Sequence, residues 1–179
     1  MRRVGVLLGC AILLALAVPR PPAEGAAAIP AGRLAYHVMV DLVRGSVEPT
    51  STVCVQTSVF KQGEQVVWRV VVRDAVNGRE IGDDGKNAAE IAEREMKVTA
   101  HLENGMTFPL KYGPHPGRPQ PGDPVKHFWT ASWVIPRDYP TGLLRWWVTV
   151  ADKRGVFVRF DPIGAGIKVP AHSVTIERR

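Results

Sequence analysis

Histidine, methionine and cysteine are the side chains that would let this chain hold a metal, and five histidines stand at His37, His101, His115, His127 and His172. In His37-Val38-Met39 an imidazole and a thioether sit two residues apart, hence on one face of a strand, and that donor pair suits copper. A solvated strand face accounts for the pair equally well. His115 and His127 bracket a proline-rich stretch and would approach each other if its ends met. His37, Met39, His115 and His127 are therefore the candidate metal ligands. Against them, no His-Glu-x-x-His or Cys-x-x-Cys motif occurs, and Cys54 is followed by Val-Gln-Thr-Ser-Val-Phe-Lys, which excludes the usual blue-copper ligand order. In Val53-Cys54-Val55 the thiol reads as a small residue buried in a strand; a thiolate ligand or an intermolecular disulfide would require it to be exposed.

Catalytic chemistry finds less support. Gly-x-Ser-x-Gly is absent, as is any glycine-rich phosphate cradle after a strand. Asp83-Asp84-Gly85-Lys86 lacks the ligand spacing of a calcium loop, and Glu90, Glu93 and Glu95 read as the solvated face of a short helix. No enzyme and no cofactor is expected. The aromatics are more informative: Trp146 and Trp147 are neighbours, so on a strand one must point away from the core. An outward indole is either covered by the 83–96 insertion or serves as a partner anchor or sugar-stacking platform. Trp146 and Trp147, with His115 and Arg118 of the proline-rich arm, are the candidate partner-binding residues.

The elements that must position these groups are strands. Trp68-Arg69-Val70-Val71-Val72-Arg73-Asp74 runs into Gly78, and Trp146-Trp147-Val148-Thr149-Val150-Ala151-Asp152 runs into Gly155. Each reads Trp-x-Val-x-Val-x-Asp, whose period of two puts Trp and both Val on one face and whose Asp and Gly begin a turn. Alternation also predicts strands over 34–43, 52–60, 96–102, 106–112, 127–135, 156–160 and 172–176, the last closing a sheet edge. The strand over 143–152 is expected to pair back on 127–135, and 156–160 to pair with 143–152. Asn104-Gly105 marks a hairpin, because both residues tolerate positive φ. Residues 83–96 are rich in helix formers, with Asp84 as a capping candidate. From Gly113 to Pro124 five prolines remove amide donors, which predicts an exposed loop within 113–126 and not a ladder strand.

The first 28 residues read as a secretory signal peptide: Arg2-Arg3, an apolar run over Val4–Val18, then small residues suited to cleavage at Ala26–Ala28. Leu7-Leu8-Gly9-Cys10 resembles a lipoprotein box but stands too close to the basic end. Cleavage leaves residues 29–179 as one domain with Cys54 its sole cysteine, so stability must come from packing. The full chain carries 23 Lys plus Arg against 17 Asp plus Glu; without the leader the balance is 20 against 16, a net +4. With no basic run interleaved with aromatics, nucleic acid is not expected as a partner. Membrane association is expected only through an uncleaved leader.

Trp133-Val134-Ile135-Pro136-Arg137-Asp138-Tyr139-Pro140-Thr141-Gly142, followed by Trp147-Val148-Thr149-Val150-Ala151-Asp152-Lys153-Arg154-Gly155, resembles bacterial immunoglobulin-like domains of the E-set type, as does the Phe60-x-x-Gly63-Glu64-x-Val66 entry to the other Trp strand. The likeness spans about residues 53–160. It implies an all-β, immunoglobulin-like antiparallel β-sandwich of about 7–9 strands with one short helical insertion, and it carries no catalytic residue across. The Cys…Trp…Cys arrangement of antibody domains is absent. The expected function is an exported, periplasmic or secreted, non-enzymatic binding module, an accessory protein of a bacterial envelope complex with a protein partner. The alternatives are a periplasmic copper or other metal carrier and a carbohydrate-binding module.

Overall fold

A computed structural model describes residues 35–48, 53–82, 88–115, 121–122, 125–162 and 174–179. The leader, Asp83 and Asp84, Arg118 with the centre of the proline-rich arm, and His172 lie outside the described residues. Among the described residues, eleven strands and one helix are arranged as an all-β sandwich. The strands are β1 (Tyr36–Arg44), β2 (Val59–Lys61), β3 (Gln65–Asp74), β4 (Lys97–Leu102), β5 (Thr107–Pro109), β6 (Lys111–His115), β7 (Lys126–Val134), β8 (Gly142–Leu144), β9 (Trp146–Ala151), β10 (Phe157–Phe160) and β11 (Val174–Glu177); helix α1 is Ala88–Arg94.

Sheet A has the order β1-β3-β7-β6 and sheet C the order β10-β9-β4-β5, both antiparallel throughout. The period of two decides what lies between them. Trp68, Val70 and Val72 of β3 meet Val98, Ala100 and Leu102 of β4 and Trp146, Val148 and Val150 of β9 in one buried cluster. Trp68 is fully buried and stacks on Phe108 of β5, ring centroids 5.1 Å apart, which ties the two sheets at their centre. Trp129 and Trp133 of β7 point inward as the alternation requires.

Four expectations about the strands give way. Residues 106–112 do not form one strand: β5 pairs with β4 in sheet C and β6 with β7 in sheet A, and buried Leu110 between them marks the crossing. Likewise 143–152 divides at Arg145 into β8 and β9 of different sheets, and β9 pairs with β4 and β10, not with β7. Apolar alternation runs unbroken through both changes of sheet, Phe108-Leu110-Tyr112 in one and Leu144-Trp146-Val148 in the other, because the chain keeps the same side toward the core. Thirdly, 113–115 belong to β6 in spite of Pro114, which is tolerated because β6 is an edge strand whose outer amides have no ladder to make. Lastly, β11 closes no edge; it lies in the middle of the third sheet, parallel to β2 and antiparallel to β8.

Cys54 is not buried in a strand either. It is exposed and adopts φ 56° in a turn, and β2 begins only at Val59. The 54–57 segment follows β1 irregularly, with Cys54 N–H donating to Arg44 O (2.7 Å) and Thr57 N–H to Leu42 O (3.1 Å), and so buries the end of β1 at Val43. Local apolar flanks suggested a strand, but Val53 and Val55 are both exposed.

The two Trp-x-Val-x-Val-x-Asp strands end alike. Asp74 Oδ1 accepts from Val76 N–H (2.9 Å) and Asp152 Oδ1 from Arg154 N–H (2.9 Å), each turn completed by a glycine at positive φ, Gly78 and Gly155. The Asn104-Gly105 hairpin forms as expected, with Gly105 at φ 90° and Asn104 Oδ1 accepting from Met106 N–H. Helix α1 is pinned at Glu90, which binds Arg79 at 2.8 Å through both oxygens and Arg94 at 2.6 Å. The Arg79 hydrogen bonds hold the Glu90 carboxyl below its usual pKa.

Candidate functional site

The side of a strand that does not enter the core is where binding chemistry is available, and the two sheets treat that side differently. On sheet A, His37 faces Arg73 across the β1–β3 ladder, Met39 faces Val71, and Asp41 faces Arg69. The β3–β7 ladder ends at Val70–Trp129; beyond it β3 leaves β7 and takes up Ile81 (N–H to Val72 O, 2.9 Å) and a bridge from Arg73 to Glu80. Over this parting lies an open groove of about 400 Å³ lined by Met39, Val71 and Phe128, with Asp41, Gln56, Arg69, Arg73 and Lys126 around them. Met39 is 56% exposed, a high value for so apolar a side chain. Gly113 stands opposite Phe128 on β6 and has open space where a side chain would project.

Charge is unevenly matched along this groove. Arg69 makes a bidentate pair with Asp41 (2.8 and 2.6 Å), which raises the guanidinium pKa against the opposing effect of burial. Its guanidinium also lies 5.5 Å from the Phe128 ring centroid. Further along, Arg73 (3.6 Å) and Lys126 (3.4 Å) share the one buried carboxylate of Glu80. Among the described residues, two cations on one carboxylate leave a local excess of positive charge beside the apolar floor, at the end where His37 also stands.

On the outward face of sheet C the indole of Trp147 is engaged by neighbouring side chains, while Phe157 of β10, opposite Ala151, stays 66% exposed. Trp147 stands on β9 between β4 and β10. His101 of β4 stacks on one side of the indole at 5.4 Å and 3° interplanar angle, and Arg159 of β10 lies 4.5 Å from the ring centroid on the other. His101 also bonds Thr149 Oγ1 at 2.8 Å, and Arg159 holds Asp161. Burial, and secondarily the nearby Arg159 cation, lower the His101 pKa. The outward indole is thus flanked by two strands of its own sheet, a third outcome beside cover by the helical insertion or a free stacking platform. Trp146, its neighbour, enters the core.

The remaining predicted residues scatter. His37 and Met39 do share the outer face of β1, with Arg73 opposite the imidazole. His115 packs edge-on against Phe128 (5.8 Å) on that same outer side, whereas His127 stacks on Tyr112 (5.6 Å) on the other, its Nδ1 buried without a hydrogen-bond partner among the described residues. Register causes the split: Pro114 pairs with His127 and His115 with Lys126, so the two imidazoles occupy opposite sides of adjacent strands. No group of three or more His, Cys, Asp or Glu side chains suited to a metal occurs among the described residues.

Sequence reasoning missed Arg69, Arg73, Lys126 and Phe128. The alternation that placed Trp68, Val70 and Val72 inside necessarily sends Arg69, Val71 and Arg73 outside, and that signal was present. The parting of β3 from β7, which turns a flat face into a groove, depends on the return of Glu80 and Ile81 and has no local signature. It also missed the lock beneath β9. Tyr36 donates to Asp152 Oδ2 (2.5 Å), and Arg154 donates to the same oxygen (2.6 Å) and to the Tyr36 hydroxyl (2.7 Å). Burial would raise the Asp152 carboxyl pKa, but the hydrogen bonds from Tyr36 and Arg154 hold it below its usual value. Burial and the Asp152 contact raise that of the Tyr36 phenol.

Comparison of the chain with protein-family models, with curated proteins and with solved structures finds no match.

Proposed function

We propose that this protein is an exported, non-enzymatic binding module, an immunoglobulin-like sandwich that serves as an accessory protein in a bacterial envelope complex and docks a protein partner on the outer face of sheet A. The observation that carries this reading is the groove over Met39, Val71 and Phe128, an apolar floor held open to solvent by ion-paired cations. Buried aromatic and aliphatic anchors with a charged rim are the usual composition of a docking patch. Sheet C offers less, because Trp147 is already engaged by His101 and Arg159. Export is supported by the basic-apolar-small order of the first 28 residues.

Photo-crosslinking in the native envelope tests the reading. A photoreactive residue at Met39 or Val71 is expected to trap one partner protein reproducibly, and the same residue at exposed Val76 is not. A chain that sediments alone as a monomer and yields no specific adduct from the groove overturns the proposal.

A further inference from the structure

Resting on that docking reading, we infer that the groove takes an acidic segment of the partner, one in which carboxylates stand beside apolar side chains. Charge complementarity along the groove selects such a segment. One end is balanced within the protein, because Asp41 neutralises Arg69 with two short hydrogen bonds. The other end is less so among the described residues: Arg73 and Lys126 approach Glu80 only at 3.6 and 3.4 Å, and that one carboxylate serves both. The two cations are 42% and 52% exposed, so an incoming carboxylate reaches them without rearrangement, whereas Glu80 is 7% exposed and remains beneath. Lys126 also stands 5.8 Å from the Phe128 ring centroid, which places cationic and apolar contacts side by side. A basic segment would meet like charge there, and a purely polar one would leave Met39, Val71 and Phe128 facing water. An acidic segment that lacks apolar residues would gain only screened attraction.

Fluorescence anisotropy with labelled synthetic peptides tests this directly. A short peptide alternating Glu with Leu is expected to bind the mature protein, more weakly as salt rises, while peptides alternating Lys with Leu or Glu with Ser bind at least about tenfold more weakly. Lys126→Glu is the cleaner variant, since it leaves the Arg73–Glu80 pair in place; it should weaken the Glu-Leu peptide by about fivefold, the scale of one exposed ion pair. Arg73→Glu combined with Lys126→Glu should invert the preference toward the Lys-Leu peptide, and a cooperative melt verifies that each variant is folded. Equal binding of Glu-Leu and Lys-Leu peptides, or indifference to Lys126→Glu, overturns the inference. So does tight binding of free decanoate without any Glu-Leu binding, which would make the ligand a small amphipathic anion. Crosslinking at Met39 that persists in the folded double variant means the face docks a partner by other chemistry, and loss of all crosslinking in the wild type means the docking reading itself fails.

Discussion

Strands β3 and β9 carry one motif and put it to different ends. Inward, they are near copies: Trp68, Val70 and Val72 on one, Trp146, Val148 and Val150 on the other, all buried. Outward they diverge. β9 presents Trp147 and Thr149, which His101 and Arg159 engage from the flanking strands. β3 presents Arg69, Val71 and Arg73, whose long cations lean on carboxylates and leave an apolar strip uncovered. The terminal aspartates diverge in the same sense, since Asp152 is sealed in a network with Tyr36 and Arg154 while the Asp74 side chain makes one turn bond. A repeated inner pattern builds the sandwich, and the unrepeated outer residues give its two faces their different character.

The largest effects should arise where the two strands agree. Trp68→Ala empties the fully buried site against Phe108 and should cost about 3–5 kcal/mol in chemical denaturation, a large fraction of the stability of an ordinary domain. Trp146, 7% exposed and touching Phe160 near the sheet margin, should cost less on the same substitution. Equal losses would mean that the two indoles anchor the core to the same degree.

Next come the aspartates, where the comparison is sharpest. Asp152→Ala deprives the buried Tyr36 hydroxyl of its acceptor and the Arg154 guanidinium of its partner, and should cost about 2–4 kcal/mol. Asp74→Ala loses one turn bond and should cost about 1 kcal/mol. Because the folded Asp152 carboxyl has a depressed pKa, its contribution is complete above the unfolded value near 4 and is lost as pH falls through the lower folded value. Acid melts of wild type and Asp152→Asn should therefore begin to approach one another near pH 4 and meet only once the pH is below the folded value.

These contrasts show what a sequence of this kind makes legible. Inward tryptophans, turn aspartates and most strand positions follow from period-two alternation and turn chemistry and appear where expected, whereas 106–112 and 143–152 each divide, 113–115 joins a strand and 52–60 is a strand only from Val59. Sheet membership does not follow, because the chain changes sheet at Leu110 and Arg145 without breaking the alternation. Cys54 escaped for the opposite reason: its valine neighbours look like a strand, but the turn at φ 56° turns the thiol out. Of the candidate site, His37 and Met39 were legible as a pair on one face. The cations and Phe128 that complete the groove come from β3 and β7, brought together only by long-range pairing.

Smaller effects should separate the outward faces. Met39→Asp should leave the melting temperature nearly unchanged, as surface substitutions do, yet abolish partner capture at the groove. Trp147→Ala should do the reverse, costing about 1–2 kcal/mol through the lost aromatic and cation contacts while leaving capture intact. If Trp147→Ala removes the partner and Met39→Asp does not, the assignment of open and closed faces is inverted.

The smallest effect is a pH dependence confined to sheet C. His101 lies between Trp147 and Thr149 with Arg159 nearby, and burial together with that cation depresses its pKa below the ordinary value near 6.5. A group with a lowered folded pKa contributes stability that is complete above its unfolded pKa and declines as pH falls toward the folded one. Urea midpoints should therefore drop slightly between pH 7 and pH 5. His101→Phe, which keeps a ring against the indole but cannot be protonated, should remove that slope, and Arg159→Gln should reduce it only in part because burial is the larger cause. A slope unchanged in His101→Phe would assign the effect to another group and leave the Trp147 stack as packing without a charge component.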